Sequence, residues 1–82
     1  MDFTFSFTEI SDLKKFLEAV KTCENEVYFE SADGDRLSLR SALCRLILYS
    51  ICCRREQPKN AVIRCYGEHD RQLLVPYFKN HL

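Results

Sequence analysis

The side chains best suited to chemistry are Ser41, His69, the pair Glu9 and Asp12, and five cysteines: Cys23, Cys44, Cys52, Cys53 and Cys65. Ser41 stands directly before an apolar run, ALCRLILYSICC. Its hydroxyl oxygen is what a helix N-cap needs to accept from an orphan backbone N–H, and a helix start of that kind also suits an anion. Cys65 and His69 lie four residues apart, but two ligands without others at suitable spacing do not make a metal site, so no metal is expected. Cys52 and Cys53 are adjacent and bridge only with strain, which favours packing over a redox role. Glu9 and Asp12 have acid–base capacity, yet no histidine or other nucleophile is near them in sequence, and a solvated helix start accounts for both. Nothing here assigns a catalytic residue or a cofactor, and the chain reads as a non-enzyme.

Composition narrows the classes further. The chain has 82 residues, 46% hydrophobic and 29% charged, with two glycines and two prolines. That is one domain, residues 1–82, and a disordered chain is not expected. Twelve basic residues balance twelve acidic ones, so there is no excess of Lys and Arg to hold a nucleic acid. The basic cluster Arg54, Arg55 and Lys59 reads as a solvated loop. No apolar run reaches the roughly 18 residues of a membrane span. The start, MDFTFSF, has neither a basic region nor a long apolar segment, so a signal peptide is not expected. An odd cysteine count without a CxxC pair then points to reduced thiols and a cytoplasmic protein.

The elements that must position Ser41 follow from hydrophobic period. Asp2 to Thr8 alternates, with Phe3, Phe5 and Phe7 on one face, and predicts a half-buried strand. Ser11 to about Glu24 predicts an amphipathic helix with Leu13, Phe16, Leu17 and Val20 buried, Lys14, Lys15, Glu18 and Lys21 in water, and Thr8 or Ser11 as cap. Glu26 to Glu30 is a second strand, with Val27 and Phe29 inward. Asp33-Gly34 marks a hairpin turn into a third strand, Arg36 to Arg40. From Ser41 the period becomes helical. Cys44, Ile47, Leu48 and Ile51 form an all-apolar stripe, which is the expected core face. Ala42, Leu46 and, at the border, Leu43 are left facing out beside the capping serine. Ala61 to Tyr66 is a fourth strand, with Ala61, Ile63 and Cys65 on one face. Glu68 to Leu82 holds a last helix with Leu73, Leu74, Tyr77 and Phe78 on its apolar side, kinked or ended by Pro76. The expected core joins Phe3, Phe5, Phe7, Phe16, Leu17, Val20, Phe29, Leu39, Ile47, Leu48, Ile63, Leu74 and Phe78.

The order βαββαβα, with right-handed crossovers, predicts an α+β fold: one four-stranded antiparallel sheet with three helices on one face. This order, with the segment Leu37-Ser38-Leu39-Arg40-Ser41-Ala42-Leu43, resembles the histidine-containing phosphocarrier protein (HPr) family of the bacterial sugar phosphotransferase system, whose strand-then-helix entry has the form V-N-L-K-S-I-M. The resemblance implies an open-faced sandwich with strand order 1-4-2-3. It implies a regulatory phosphorylation position at Ser41 and a partner-binding patch at Ala42, Leu43 and Leu46. At the position of the family's phosphoacceptor histidine, which is followed by x-Arg-Pro, this chain has Glu9-Ile10-Ser11-Asp12. An imidazole nucleophile is what phosphoryl relay requires there. The expectation is therefore an HPr-like binding or regulatory module without catalysis, taking a protein partner from the phosphotransferase or a regulatory system. A working phosphocarrier using another acceptor such as His69, or a small homo-oligomer joined through the same patch, are the alternatives.

Overall fold

The computed structural model describes residues 2–52 and 60–79. Four strands form a single antiparallel sheet: β1 (Asp2–Ser6), β2 (Val27–Glu30), β3 (Arg36–Ser38) and β4 (Val62–Tyr66), in the order β1-β4-β2-β3. Three helices, α1 (Leu13–Val20), α2 (Ala42–Cys52) and α3 (Glu68–Leu74), complete the open-faced α+β sandwich that the order of elements predicts. The register sets Phe3 opposite Cys65, Phe5 opposite Ile63, and Phe29 opposite both Ile63 and Leu37. One face of the pleat is therefore apolar across all four strands. The turn between β2 and β3 closes with Ser31 N donating to Asp35 O at 2.9 Å, and Gly34 sits at φ 94°, a conformation open to glycine.

The core is aromatic. Phe16, Val20, Val27, Leu39, Leu48, Ile63, Cys65 and Leu74 are sealed from solvent, and Phe7, Leu17, Phe29 and Phe78 are nearly so. Phe78 stacks on Phe5 with ring centroids 4.4 Å apart and meets Phe16 edge-on at 5.4 Å. Such pairs each add about 0.5–1.5 kcal/mol beyond area burial. Phe3 and Phe5 are partly buried and pack against this cluster.

Several boundaries move inward, each for a local reason. β1 stops at Ser6, because Phe7 turns into a 3-10 turn over Phe7–Glu9 while its N–H still donates to Ala61 O. The cap of α1 is Asp12 rather than Thr8 or Ser11; its Oδ1 accepts from Lys15 N at 3.1 Å. Ser11 instead donates through both N and Oγ to Tyr77 O. α1 ends at Val20, four residues before Glu24, in a turn closed by Thr22 N to Ala19 O. β3 ends at Ser38, and Leu39 N donates to Val27 O as the chain turns under the sheet. α3 ends at Leu74, and a 3-10 turn over Val75–Tyr77 follows, since Pro76 supplies no N–H to continue the α ladder.

One expectation about the core is corrected. Ile47 is 40% exposed and Ile51 37%, whereas Leu48 is fully buried. The cause is a roll of α2 toward Arg45. The Arg45 side chain is partly buried and its Nη1 donates to Leu39 O at 3.0 Å, so the side of α2 carrying Leu48, Cys44 and Arg45 faces the sheet. Ile47 and Ile51 rotate out.

A charged residue is buried where α3 begins. Asp70 is fully buried, and its two oxygens accept from Glu24 N and Asn25 N, each at 2.8 Å. Burial alone would raise its carboxyl, but those two donors and His69 outweigh burial and hold it below the usual carboxylate range. Because the folded pKa is depressed, the carboxylate's contribution is complete above the unfolded value near 4 and is lost as pH falls through the folded value. Asp70→Ala should lower stability by roughly 2–4 kcal/mol, as the N–H groups of Glu24 and Asn25 lose their shared charged acceptor and a cavity replaces a fully buried side chain. Thermal melting monitored by circular dichroism should show a drop of more than about 8 °C at pH 7. The gap between the two proteins should narrow as pH falls below 4.

Candidate functional site

Ser41 stands at the start of α2 as the sequence suggests. Cys44 N donates to its Oγ at 3.4 Å, and Arg45 N donates to its backbone O at 3.0 Å. The hydroxyl is exposed. The two arginines near it are anchored to backbone carbonyls on either side: Arg40 Nη1 donates to Glu24 O at 3.3 Å, and Arg45 Nη1 to Leu39 O. The turn leading into α2 is thus held between β2's entry and the sheet.

The three residues expected to form a patch lie immediately after the cap. Leu43 is 65% exposed and Leu46 61%, and Ala42 is exposed beside them. Ile47, Tyr49 and Ile51 extend this surface, and among the described residues every large hydrophobic side chain classed as exposed is on α2. At 100° per residue, Leu43, Leu46, Ile47, Tyr49 and Ile51 sweep an arc of about 200° around the helix. No charged side chain interrupts it, since Arg45 marks one border. Where this ridge meets α1 there is a hollow of about 380 Å³, with Leu17, Ala42, Leu46 and Tyr49 as apolar lining and Lys14, Lys21 and Arg45 around it. Glu18 is the acidic residue of that rim, and it is paired with Lys21 at 3.1 Å.

Glu9 lies on a separate element, in the 3-10 turn after β1. Its backbone O accepts from Lys79 N at 2.7 Å, which fastens this turn to the end of the α3 region. No helix begins at Glu9; α1 starts four residues later under Asp12. Cys65 and His69 do not converge. Cys65 faces the core, while His69 is largely exposed, with Nδ1 at 3.3 Å from both Glu24 Oε1 and Asp70 Oδ1. No group of three or more potential metal ligands gathers among the described residues. Cys53, Arg54, Arg55, Lys59 and His81, and the side chain of Cys52, lie outside the described residues.

Sequence reasoning missed two polar constellations. The first is Asp70, which falls four residues before Leu74 on α3's apolar side. That placement on a buried stripe was the available signal. The second covers the outer face of the sheet. Arg64 Nε donates to Glu30 at 2.9 Å, and Arg64 also pairs with Asp2. Arg36 stacks over the Tyr28 ring at 3.8 Å and donates to Tyr66 Oη at 2.9 Å. The period-two alternation places these residues on that face, but the pairing needs the register. Every charge in this network has a partner, so it reads as a solvated, self-satisfied face.

No family model, curated protein or solved structure matches this chain. No helix of the described residues is long and apolar enough to cross a membrane.

Two of the thiols, Cys23 and Cys65, are poorly placed for chemistry. Burial, followed by the negative charge of Asp70, pushes Cys23 up to about 12 and Cys65 up to about 11. Both stay protonated at pH 8, and the thiolate is the reactive form. In the native protein at pH 8, Cys23 and Cys65 should resist iodoacetamide, and peptide mass mapping should find them modified only after denaturant is added. Alkylation of either thiol within minutes in the native state would contradict their burial.

Proposed function

We propose that this chain is a non-catalytic, HPr-like protein-binding module that docks through the start of α2 and is regulated at Ser41. One observation carries the reading: the exposed large hydrophobic side chains of the described residues are all on α2, and the ridge begins directly behind a capping serine. A contiguous apolar surface bordered by polar groups is how soluble domains present a docking site. The resemblance supplies the class of partner, a component of the phosphotransferase or a related regulatory system in the cytoplasm. Glu9 in place of an acceptor histidine argues against phosphoryl relay. Around His69 the carboxylates of Glu24 and Asp70 place negative charge, where holding a phosphoryl group calls for positive charge.

A phosphate on Ser41 would stand at the positive end of α2, where it stabilises the helix by roughly 0.3–1 kcal/mol. Switching would therefore act at the surface. About two negative charges beside Ala42, Leu43 and Leu46 raise the cost of burying that patch, unless the partner brings its own Arg or Lys.

Two lysine variants test whether the patch is a surface. Leu46→Lys should melt within a few degrees of the parent and abolish partner binding. Leu48→Lys places an ammonium in the sealed core and should unfold a domain of this size, at a cost of about 3 kcal/mol or more. Equal destabilisation by both would remove the docking surface. Ser41→Asp should leave the melting temperature nearly unchanged while weakening binding. A second measurement addresses catalysis. Incubation with phosphoenolpyruvate and the first enzyme of the phosphotransferase system should leave the intact mass unchanged, and a stoichiometric gain of one acid-labile phosphoryl group would refute the reading.

A further inference from the structure

The side of α1 turned away from α2 borders another hollow, of about 560 Å³, within the range of sites that seat small ligands or peptide side chains. Ala19, Leu73 and Tyr77 give it an apolar lining. Lys14 and Lys15 stand toward one end of α1 and Thr22 toward the other. The small side chain of Ala19 leaves space between the helices that a larger residue would fill. From Lys14 to Thr22 the helical rise gives a length of about 12 Å.

The charges of this slot are unbalanced. Glu18, its acidic residue, is paired with Lys21. The ammonium groups of Lys14 and Lys15 have no ion-pair partner among the described residues, and both side chains are exposed. The Thr22 hydroxyl donates to Ala19 O at 2.8 Å and so is already engaged. An apolar slot with two uncompensated cations at one end complements an apolar segment carrying acidic residues at the matching end.

We propose that the α1–α3 slot binds a short acidic peptide segment of a partner protein. The apolar side chains of that segment rest on Ala19, Leu73 and Tyr77, and its carboxylates face Lys14 and Lys15. A length of about 12 Å accommodates three to four residues of extended chain. Lys14 and Glu18 also line the hollow between α1 and α2. One partner can therefore hold α1 from both sides, yet the slot does not require the α2 ridge to be a docking face.

The test is a titration of the isotope-labelled full chain with acetyl-Asp-Asp-Leu-Phe-amide, followed by amide ¹H–¹⁵N spectra at low ionic strength. Saturable shifts should concentrate at Lys15, Ala19, Thr22, Leu73 and Tyr77. The peptide with two lysines in place of its aspartates should cause none. The double variant Lys14→Glu, Lys15→Glu changes only exposed side chains, so its melting temperature should stay within a few degrees while its affinity falls about tenfold. Leu46→Lys should bind the acidic peptide as the parent does, which separates this site from the α2 ridge. The proposal fails if both peptides bind equally, if the shifts are confined to Ala42 to Tyr49, or if no saturable shift occurs.

Discussion

The buried carboxylate of Asp70 is the interaction on which the arrangement of the helices depends. It reaches from the first turn of α3 to the two backbone N–H groups of Glu24 and Asn25, which sit where α1 has ended and β2 is about to begin. Those N–H groups have no ladder partner of their own, and a charged acceptor satisfies both. Asn25 extends the tie by donating from Nδ2 to Tyr66 O at the end of β4. Arg40 adds a third hold by donating to Glu24 O from the turn before α2. The exit of α1, the start of β2, the end of β4, the start of α3 and the approach to α2 therefore meet at one short link. A buried charge is costly, and it is tolerated here because donors surround it. Gly67, at φ 85°, fits the same crowding: a Cβ there would stand 3.1 Å from Asn25 Nδ2.

That link explains the unequal attachment of the helices. α1 buries Phe16, Leu17 and Val20, and α3 buries Leu74 together with Asp70. Among its described side chains, α2 commits one that is fully buried, Leu48, and a contact from Arg45 to a backbone carbonyl. Leu43, Leu46, Ile47, Tyr49 and Ile51 are exposed, which loses the favourable burial of several leucine- and isoleucine-sized side chains. A folded domain tolerates that loss when α1 and α3 are fixed independently. The same geometry leaves α1 with a hollow on each side, so α1 borders both candidate contact regions.

Much of the scaffold was legible because it rests on period and turn chemistry. The alternation of Phe3, Phe5 and Phe7, the stripe Phe16, Leu17 and Val20, the Asp33-Gly34 turn and the set Ala61, Ile63 and Cys65 fix faces and order without tertiary information. The exposure of Leu43 and Leu46 followed from the same wheel. Ile47 and Ile51 were misplaced because the roll of α2 depends on the hydrogen bond from Arg45 to Leu39 O, which helical period does not encode. The role of Asp70 was hidden because its partners are backbone groups 46 and 45 residues away. The cap at Asp12 rather than Ser11 turned on Ser11 donating to Tyr77 O, again a distant contact. The hollows need two helices side by side, and no window of sequence contains both.

α2 presents an open apolar ridge on a fold held together elsewhere. Its openness is tested most directly by methyl relaxation in the presence of a soluble gadolinium chelate, measured at several dilutions. Strong enhancement is expected for Leu43 and Leu46, intermediate enhancement for Ile47 and Ile51, and protection for Leu39 and Leu48, all unchanged by dilution. Protection of Leu46 equal to that of Leu48, or protection that grows with protein concentration, would contradict it.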